Sequence, residues 1–568
     1  MTPILTITLL FWAMILFSAT AISFDRSLRS VVHSQWKSLV LLLLATALWR
    51  VPTDGVFFHG MEYEDSYVYT VEGRQLAEHV EPPSASSTPF SIVACEVGSI
   101  SDCQQWEQFP EHFMGYPYVI SAYCRLFGYS SSAGSIINLF ASLFSVLIVF
   151  AIVHLITDDN TSALIAGFTL AALPVFAVYG LETSAEPFSN LCILLAVWFF
   201  LRLCSHHRMT SVNQALIGLA YCTAICFSLT VKREDIVLAI VLPIIFPFVL
   251  LERNPKESSK PLPLALILFT SGLALILSLK MHLFQTSEGE RELLRQFPFT
   301  LSKLVRFVGG FLSSFLVMRW YEGSFVIVGI GIVVALMKRG RTAVPVVLLA
   351  SYILLYASHI RSYYEMASGH IEAGAALRFS MNFMGLWAIT AGIGVNAVVM
   401  LCRNRYRSLF GKRFLVRVLV ATGAATLLVS LVATIRLRRD AVEDEMISRL
   451  SPAENASSLA KSQVGPSSFI VTMEPLVIQM YEPPQTRIVD LEAVDVDRLT
   501  ALVSTEAKPH LIFLKQSERL SVPDLERYGD PVRYVLSLPS QVLMSGEGFE
   551  VTLVAPSVDT LGVQGQPR

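Results

Sequence analysis

Residues 38–74, SLVLLLLATALWRVPTDGVFFHGMEYEDSYVYTVEGR, decide how this chain reads. Ser38–Phe58 is an apolar run long enough to span a bilayer. Three carboxylates follow at once, Glu62, Glu64 and Asp65, with Tyr63, Tyr67 and Tyr69 laddered among and after them, and then Arg74. The carboxylates therefore belong at the membrane surface. Like charges are costly to cluster there unless they have a task. The plain alternative is that they solvate the start of a loop.

The composition sets the class. The chain has 568 residues, 53% hydrophobic and 15% charged, with mean hydropathy +0.55. Soluble domains carry nearer a quarter charged residues, so the chain reads as a polytopic membrane protein. A net charge of -2 argues against a nucleic-acid partner. Of 8 cysteines, Cys192, Cys204, Cys222, Cys226 and Cys402 lie in or beside apolar runs and read as small buried residues. Cys95 and Cys103 share one polar loop and are expected to pair as a disulfide if it faces an oxidising compartment. With no CxxC or HExxH motif, no dedicated zinc site is expected.

Charge asymmetry orients the spans. Residues 3–24 form a first apolar run, read as an uncleaved helix although Ala19-Thr20-Ala21 resembles a peptidase site. Arg26, Arg29 and Lys37 then read as a cytoplasmic basic turn, so residues 1–37 form an extra N-terminal helix and turn. Loop 51–130 carries eleven Asp/Glu against two Lys/Arg and is predicted to be external. Its stretch Met114–Tyr129 is aromatic and amphipathic and suits the interface.

Further spans are predicted at about 131–156, 161–180, 187–203, 214–231, 235–251, 261–282, 324–336, 342–358, 379–401 and 415–435. Loops 283–322 and 359–378 fall outside, and 402–417, with six Lys/Arg and no acid, falls inside. The expected architecture is mainly α, with about twelve membrane spans and both ends external. The tail 440–568 is polar. Phe469–Thr472, Arg487–Leu491, His510–Leu514 and Phe549–Val554 read as strands and Val496–Thr505 as a helix, giving a small external α/β domain.

The external turns hold the unexplained charges. One is Gly180–Pro187, GLETSAEP, with Glu182 and Glu186. Another is Lys232–Asp235, KRED, with two basic residues on the side where the positive-inside rule places few. The bland reading of KRED is a local ion pair. Together with Asp65, Arg361 and Arg378 these groups collect at helix ends on one face. Such a set suits holding an anionic lipid headgroup with Arg, whose fork binds two oxygens, while a carboxylate takes a proton from an acceptor. A polymerase or ligase of lipid-linked glycans would also keep external arginines, without needing a carboxylate cluster. A transporter would place its charges nearer mid-membrane.

Here the chain resembles the C-type (GT-C) membrane glycosyltransferases, most closely the dolichyl-phosphate-mannose–protein mannosyltransferase-like proteins and bacterial aminoarabinose transferases. The resemblance covers roughly residues 38–435. It rests on Asp65-x-x-x-Tyr69-x-x-x-Gly73-Arg74, on Gly115-Tyr116-Pro117 with Leu126-Phe127-Gly128, and on Glu186-Pro187, Lys232-Arg233-Glu234 and Arg378-Phe379. Where the family often has Asp-Glu, this chain has Glu64-Asp65.

The resemblance implies an inverting sugar transfer from a polyprenyl-phosphate donor to an acceptor lipid, glycan or protein, with Asp65 or Glu64 as the catalytic base. It implies donor-phosphate contacts from Arg378, Arg233, Lys232 and Arg361, and substrate contacts from Glu62, Tyr69, Arg74, Glu182 and Glu186. No cofactor is expected, although Glu182 and Glu186 leave room for a divalent metal. Membrane lipids surround such a protein, and a bacterial inner membrane is favoured over the endoplasmic reticulum.

Overall fold

The computed structural model describes residues 3–50, 60–61, 64–78, 114–205, 210–251, 261–280, 324–357 and 380–405, positions 305, 309 and 432, and six short strands beyond residue 447. The chain divides into two compact units. The first comprises Met1–Phe58, His112–Ile120 and Gly134–Asp444; the second comprises His59–Glu111, Ser121–Ala133 and Glu445–Arg568.

The first unit is helical. In chain order it holds α1 (Pro3–Phe24) and α2 (Arg26–Arg50), and α3 (Glu64–Glu78) follows in the second unit. Then come α4 (Gly115–Phe127), α5 (Ala133–Thr157), α6 (Asn160–Ala172), α7 (Pro174–Tyr179), α8 (Ala185–Leu203) and α9 (Ser211–Val231). A 3-10 turn at Arg233–Asp235 leads to α10 (Ile236–Leu251) and α11 (Pro261–Lys280). The helical set closes with α12 (Ser324–Lys338), α13 (Ala343–Ala357) and α14 (Met384–Arg405). Among the described residues seven helices are long and apolar enough to cross a membrane: α1, α2, α5, α8, α9, α11 and α14. The protein is mainly helical, an integral multi-pass membrane protein.

Helix α8 is the core. Residues Ala185 to Leu203 are buried almost without exception, polar ones included, because α8 is apolar all round and has neighbours on every side. Helix α1 lies along α9, with Phe11 against Phe227 and Tyr118. Helices α12 and α14 approach closely through glycines: a Cβ on Gly331 would strike the Thr390 carbonyl, and one on Gly394 the Ile327 carbonyl. Apolar side chains such as Leu44, Leu48, Phe269 and Ile276 stay exposed, as lipid-facing surfaces require.

Two boundaries differ from the sequence reading. Arg26, Arg29 and Lys37 form no basic turn; they lie within α2, which starts one residue after Asp25. No Gly or Pro interrupts Arg26–Lys37, and long basic side chains can extend toward polar surroundings from a helix end. Helix α2 is described as far as Arg50, and the rest of the expected span, 51–58, lies outside the described residues. Arg50 is fully buried, donating to the carbonyls of Thr46, Ala171 and Phe176 at 3.2–3.4 Å, so it closes the open carbonyl end of α6. The expected span 161–180 is broken at Leu173, whose extended backbone precedes Pro174 at the first position of α7.

In the second unit α3 follows a two-residue strand β1 (Gly60–Met61) that pairs antiparallel with β2 (Ser448–Arg449), Gly60 facing Arg449. The first loop and the tail thus meet through backbone hydrogen bonds. Strands β3 (Phe469–Thr472), β4 (Ile488–Asp490), β5 (Leu511–Gln516), β6 (Ser540–Gly546) and β7 (Phe549–Val554) form a mixed sheet of order β4-β3-β5-β7-β6. Strand β3 runs parallel to β4 and β5, and β7 antiparallel to β5 and β6. Four strands lie where the sequence placed them; β6 was missed. The expected helix 496–505 lies outside the described residues, as does the expected span 415–435 apart from position 432.

Candidate active site

In the first unit the site is built at the N-terminal end of α8. The turn Gly180–Ser184 is held onto α5 by side chains. Asn138 donates to the carbonyls of Glu182 and Ser184, at 2.5 and 2.9 Å. Ser142 donates to the Gly180 carbonyl at 3.3 Å, and the Ser135 and Thr183 hydroxyls lie 3.4 Å apart. A Cβ on Gly134 would overlap Thr183, so only glycine lets α5 come this close. Tyr116, in the same unit, donates to the Gly134 carbonyl at 3.2 Å. Helix α8 then opens Ala185-Glu186-Pro187. Proline is tolerated in a first turn, and a carboxylate there faces the positive end of the helix dipole.

The partner of this turn is the end of α9. Lys232 leaves the helix in extended conformation, its N–H still bonded to the Ser228 carbonyl at 2.8 Å. That swing carries Nζ to Glu186 Oε1 at 2.8 Å. The Lys232 side chain is 9% exposed and that of Glu186 0%. The ammonium also lies 5.7 Å from the Tyr356 ring centroid, within cation–π range. The KRED turn is thus more than a local ion pair: Arg233 meets Glu234 locally at 3.6 Å, but Lys232 reaches across to another helix.

Asp235, fully buried, ties the turn down. Its Oδ2 accepts from Ser189 of α8 at 2.6 Å and from Ser228 of α9. Its Oδ1 accepts from Tyr352 of α13 at 3.0 Å and from Asn382, just before α14, at 3.1 Å. Burial pushes this carboxyl up to about 6, against the lowering effect of the four hydrogen bonds. Asn382 also donates to the Tyr356 hydroxyl at 2.8 Å. Asn190 donates to Ser145 at 3.2 Å and accepts from the Gly385 N–H at 2.9 Å, anchoring the start of α14 to α8. Sequence reading quoted Asp235 within KRED but gave it no role, and missed Asn138, Asn190, Tyr352, Tyr356 and Asn382. The available signal was the density of Asn, Ser and Tyr near helix ends in an otherwise apolar chain.

The other expected residues fall as follows. Glu182, in the pinned turn, is buried. In the second unit Glu64 and Asp65 open α3, Tyr69 is buried on it, and Arg74 places its guanidinium 4.5 Å from the Tyr129 ring centroid. Arg125 donates to the Leu76 carbonyl at the end of the same helix. Glu72, which the sequence did not single out, is fully buried there. Glu62, Arg361, Arg378, Cys95 and Cys103 lie outside the described residues. Among the described residues no three His, Cys, Asp or Glu side chains converge to hold a metal ion.

Comparison with known proteins follows the same elements. Residues 111–279 match the dolichyl-phosphate-mannose-protein mannosyltransferase family. That range runs from α4 to the end of α11 and includes Glu182, Glu186, Lys232 and Asp235. The chain is similar to the crystal structure of ArnT from Cupriavidus metallidurans bound to undecaprenyl phosphate, with TM-score 0.55 and 12% identity over 92% of this chain and 99% of that one. It is similar also to the apo state of the same ArnT, with TM-score 0.56 and 13% identity over 94% of this chain and 100% of that one. No curated protein sequence matches. The chain has the fold of the C-type (GT-C) polytopic membrane glycosyltransferases.

Proposed function

We propose that this protein is a glycosyltransferase that moves a sugar, with inversion, from a polyprenyl-phosphate donor to an acceptor hydroxyl or amine at the external membrane face. The observation that carries this reading is a coincidence of place: the stretch matching the mannosyltransferase family contains the buried Glu186–Lys232 pair and the turns around it. The binding of undecaprenyl phosphate by ArnT, which has the same fold, supports a polyprenyl phosphate as the donor's lipid part. The acceptor is a lipid, a glycan or a protein. A bacterial inner membrane is the favoured setting, and residues 440–568 form a small external α/β domain.

In this reaction the acceptor O–H gives its proton to Asp65 or Glu64. The freed oxygen pair forms a bond to the anomeric carbon, and the bond from that carbon to the phosphate oxygen breaks. Polyprenyl phosphate leaves with that electron pair. Asp65 and Glu64 lie in the first turn of α3. Arg378, Arg361, Arg233 and Lys232 hold the phosphate and stabilise its charge as it departs. Glu62, Tyr69, Arg74, Glu182 and Glu186 shape the substrate site. No cofactor has a step here.

The test is transfer from a radiolabelled polyprenyl-phosphate sugar in vesicles holding the full chain. Asp65→Asn is expected to cut transfer by about a hundredfold or more while donor binding persists, since amide and carboxylate share a shape. Near-normal Asp65→Asn with inactive Glu64→Gln moves the base by one residue. Normal transfer by both variants and by the double variant removes this stretch from the chemistry.

A further inference from the structure

Asp235 is an odd residue to bury. A carboxylate taken out of water costs several kcal/mol unless its lone pairs are met, and an apolar side chain could fill the same space. Here the match is complete. A carboxylate offers about four acceptor sites, and Asp235 receives four neutral donors from four elements: Ser189, Ser228, Tyr352 and Asn382. Two of these bonds bear on Lys232. The Ser228 bond closes the turn 228–235 from within, beside the bond from the Asp235 N–H to the Lys232 carbonyl at 3.2 Å. The Asn382 bond holds an amide whose same nitrogen donates to the Tyr356 hydroxyl, and the Tyr356 ring is the surface on which the Lys232 ammonium rests.

We infer that Asp235 is a positioning residue for the lipid-phosphate site, fixing Lys232 by closing its turn and by bracing, through Asn382, the Tyr356 ring beside it. The inference rests on the proposed reading in which Lys232 meets the donor phosphate. It makes a distinction that simple packing does not. In Asp235→Asn the amide oxygen can keep Tyr352 and Asn382, while the Ser189 and Ser228 hydroxyls rotate to accept from the amide NH2. The turn and the brace both survive. In Asp235→Ala the four donors lose this acceptor, and the turn and the brace that help to set Lys232 are loosened.

The experiment measures binding of undecaprenyl phosphate to the full-length protein in lipid nanodiscs, with the thermal midpoint of each variant recorded alongside. Lys232→Ala and Asp235→Ala should each weaken binding about tenfold or more, as loss of a charged hydrogen bond does. Asp235→Asn should stay within about threefold of the unaltered protein. The Lys232→Ala/Asp235→Ala double variant should bind no worse than Lys232→Ala, because the second change acts only through the first. Tyr356→Phe keeps the ring, loses the Asn382 anchor, and should weaken binding severalfold. It carries the test if Asp235→Ala does not fold. Additive losses in the double variant, equal losses in Asp235→Asn and Asp235→Ala, or full binding by Tyr356→Phe would each overturn the inference. Failure of the unaltered protein to bind undecaprenyl phosphate overturns the functional reading itself, and this inference with it.

Discussion

At its C-terminal end α8 presents Arg202, whose Nε and Nη2 each lie 2.8 Å from an oxygen of Asp25, with 6% and 3% of the two side chains exposed. At its N-terminal end it presents Glu186, paired with Lys232, with the Asp235 cluster one helical turn further along at Ser189. Both ends bury charge, but they do so differently. The Arg202–Asp25 pair is one fork on one carboxylate, linking the junction of α1 and α2 to the core. The other end draws on α5, α8, α9, α13 and the start of α14. It buries a second carboxylate on neutral donors alone and orders two turns that carry charge. A matched pair suffices to join helices; on the proposed reading the broader network holds charged groups in place for the transfer.

The contrast can be broken most sharply at Arg202. Arg202→Ala breaks this buried ion pair by removing one partner and should cost about 3–5 kcal/mol of stability. Asp25→Leu with Arg202→Leu should recover most of it. Denaturant titration in detergent measures both, and sugar transfer by the folded fraction should hardly change. A stable but inactive Arg202→Ala protein would erase the distinction between the two ends.

The pH dependence of stability comes next. The folded chain keeps the Asp235 proton up to about pH 6, and the unfolded chain only up to the ordinary 3.8. The folded state therefore binds more protons between these values. Stability from this group is fully present below pH 3.8 and falls as pH rises through about 6, by up to about 3 kcal/mol. Asp235→Asn should lack this component, so its stability should vary less between pH 4 and 7. Equal pH slopes for the two proteins would show that Asp235 titrates as an exposed carboxyl does.

Smaller effects sharpen the working end. Glu186→Gln replaces a charged hydrogen bond to Lys232 worth about 1.5–3 kcal/mol, so transfer should fall on the order of tenfold or more. Unchanged transfer would make this pair structural, like the one at Arg202. Ser142→Ala removes the bond that holds the Gly180 carbonyl and should cost about 1 kcal/mol. A midpoint equal to that of the unaltered protein would show that Asn138 and Ser135 suffice to hold the turn.

Much of the helical order was legible in the sequence. Helix α1 begins and ends within a residue or so of its apolar run, and α5, α8, α9, α10 and α11 lie within about three residues of theirs. Glu186-Pro187 and KRED were recognisable as charged turns because charge is conspicuous at the ends of apolar runs. The junction of α1 and α2 was misread for the same reason: a cluster of Arg and Lys signals a turn in a hydropathy profile, but the backbone of residues 26–37 has nothing in it to end a helix.

Hydropathy and charge are sums over neighbouring residues, so the sequence by itself determined a membrane protein, the order of its helices and the turns where its charges lie. What those charges touch was decided by packing. Asp235 takes its bonds from Ser189, 46 residues away, from Tyr352, 117 away, and from Asn382, 147 away. Lys232 finds Glu186 at a separation of 46. Arg50, read as lying inside a span, became the plug for the end of α6. A buried polar side chain must find a partner, but which partner it finds depends on how the helices are rotated and staggered against one another, and glycines such as Gly134, Gly331 and Gly394 set that through contacts no local window contains.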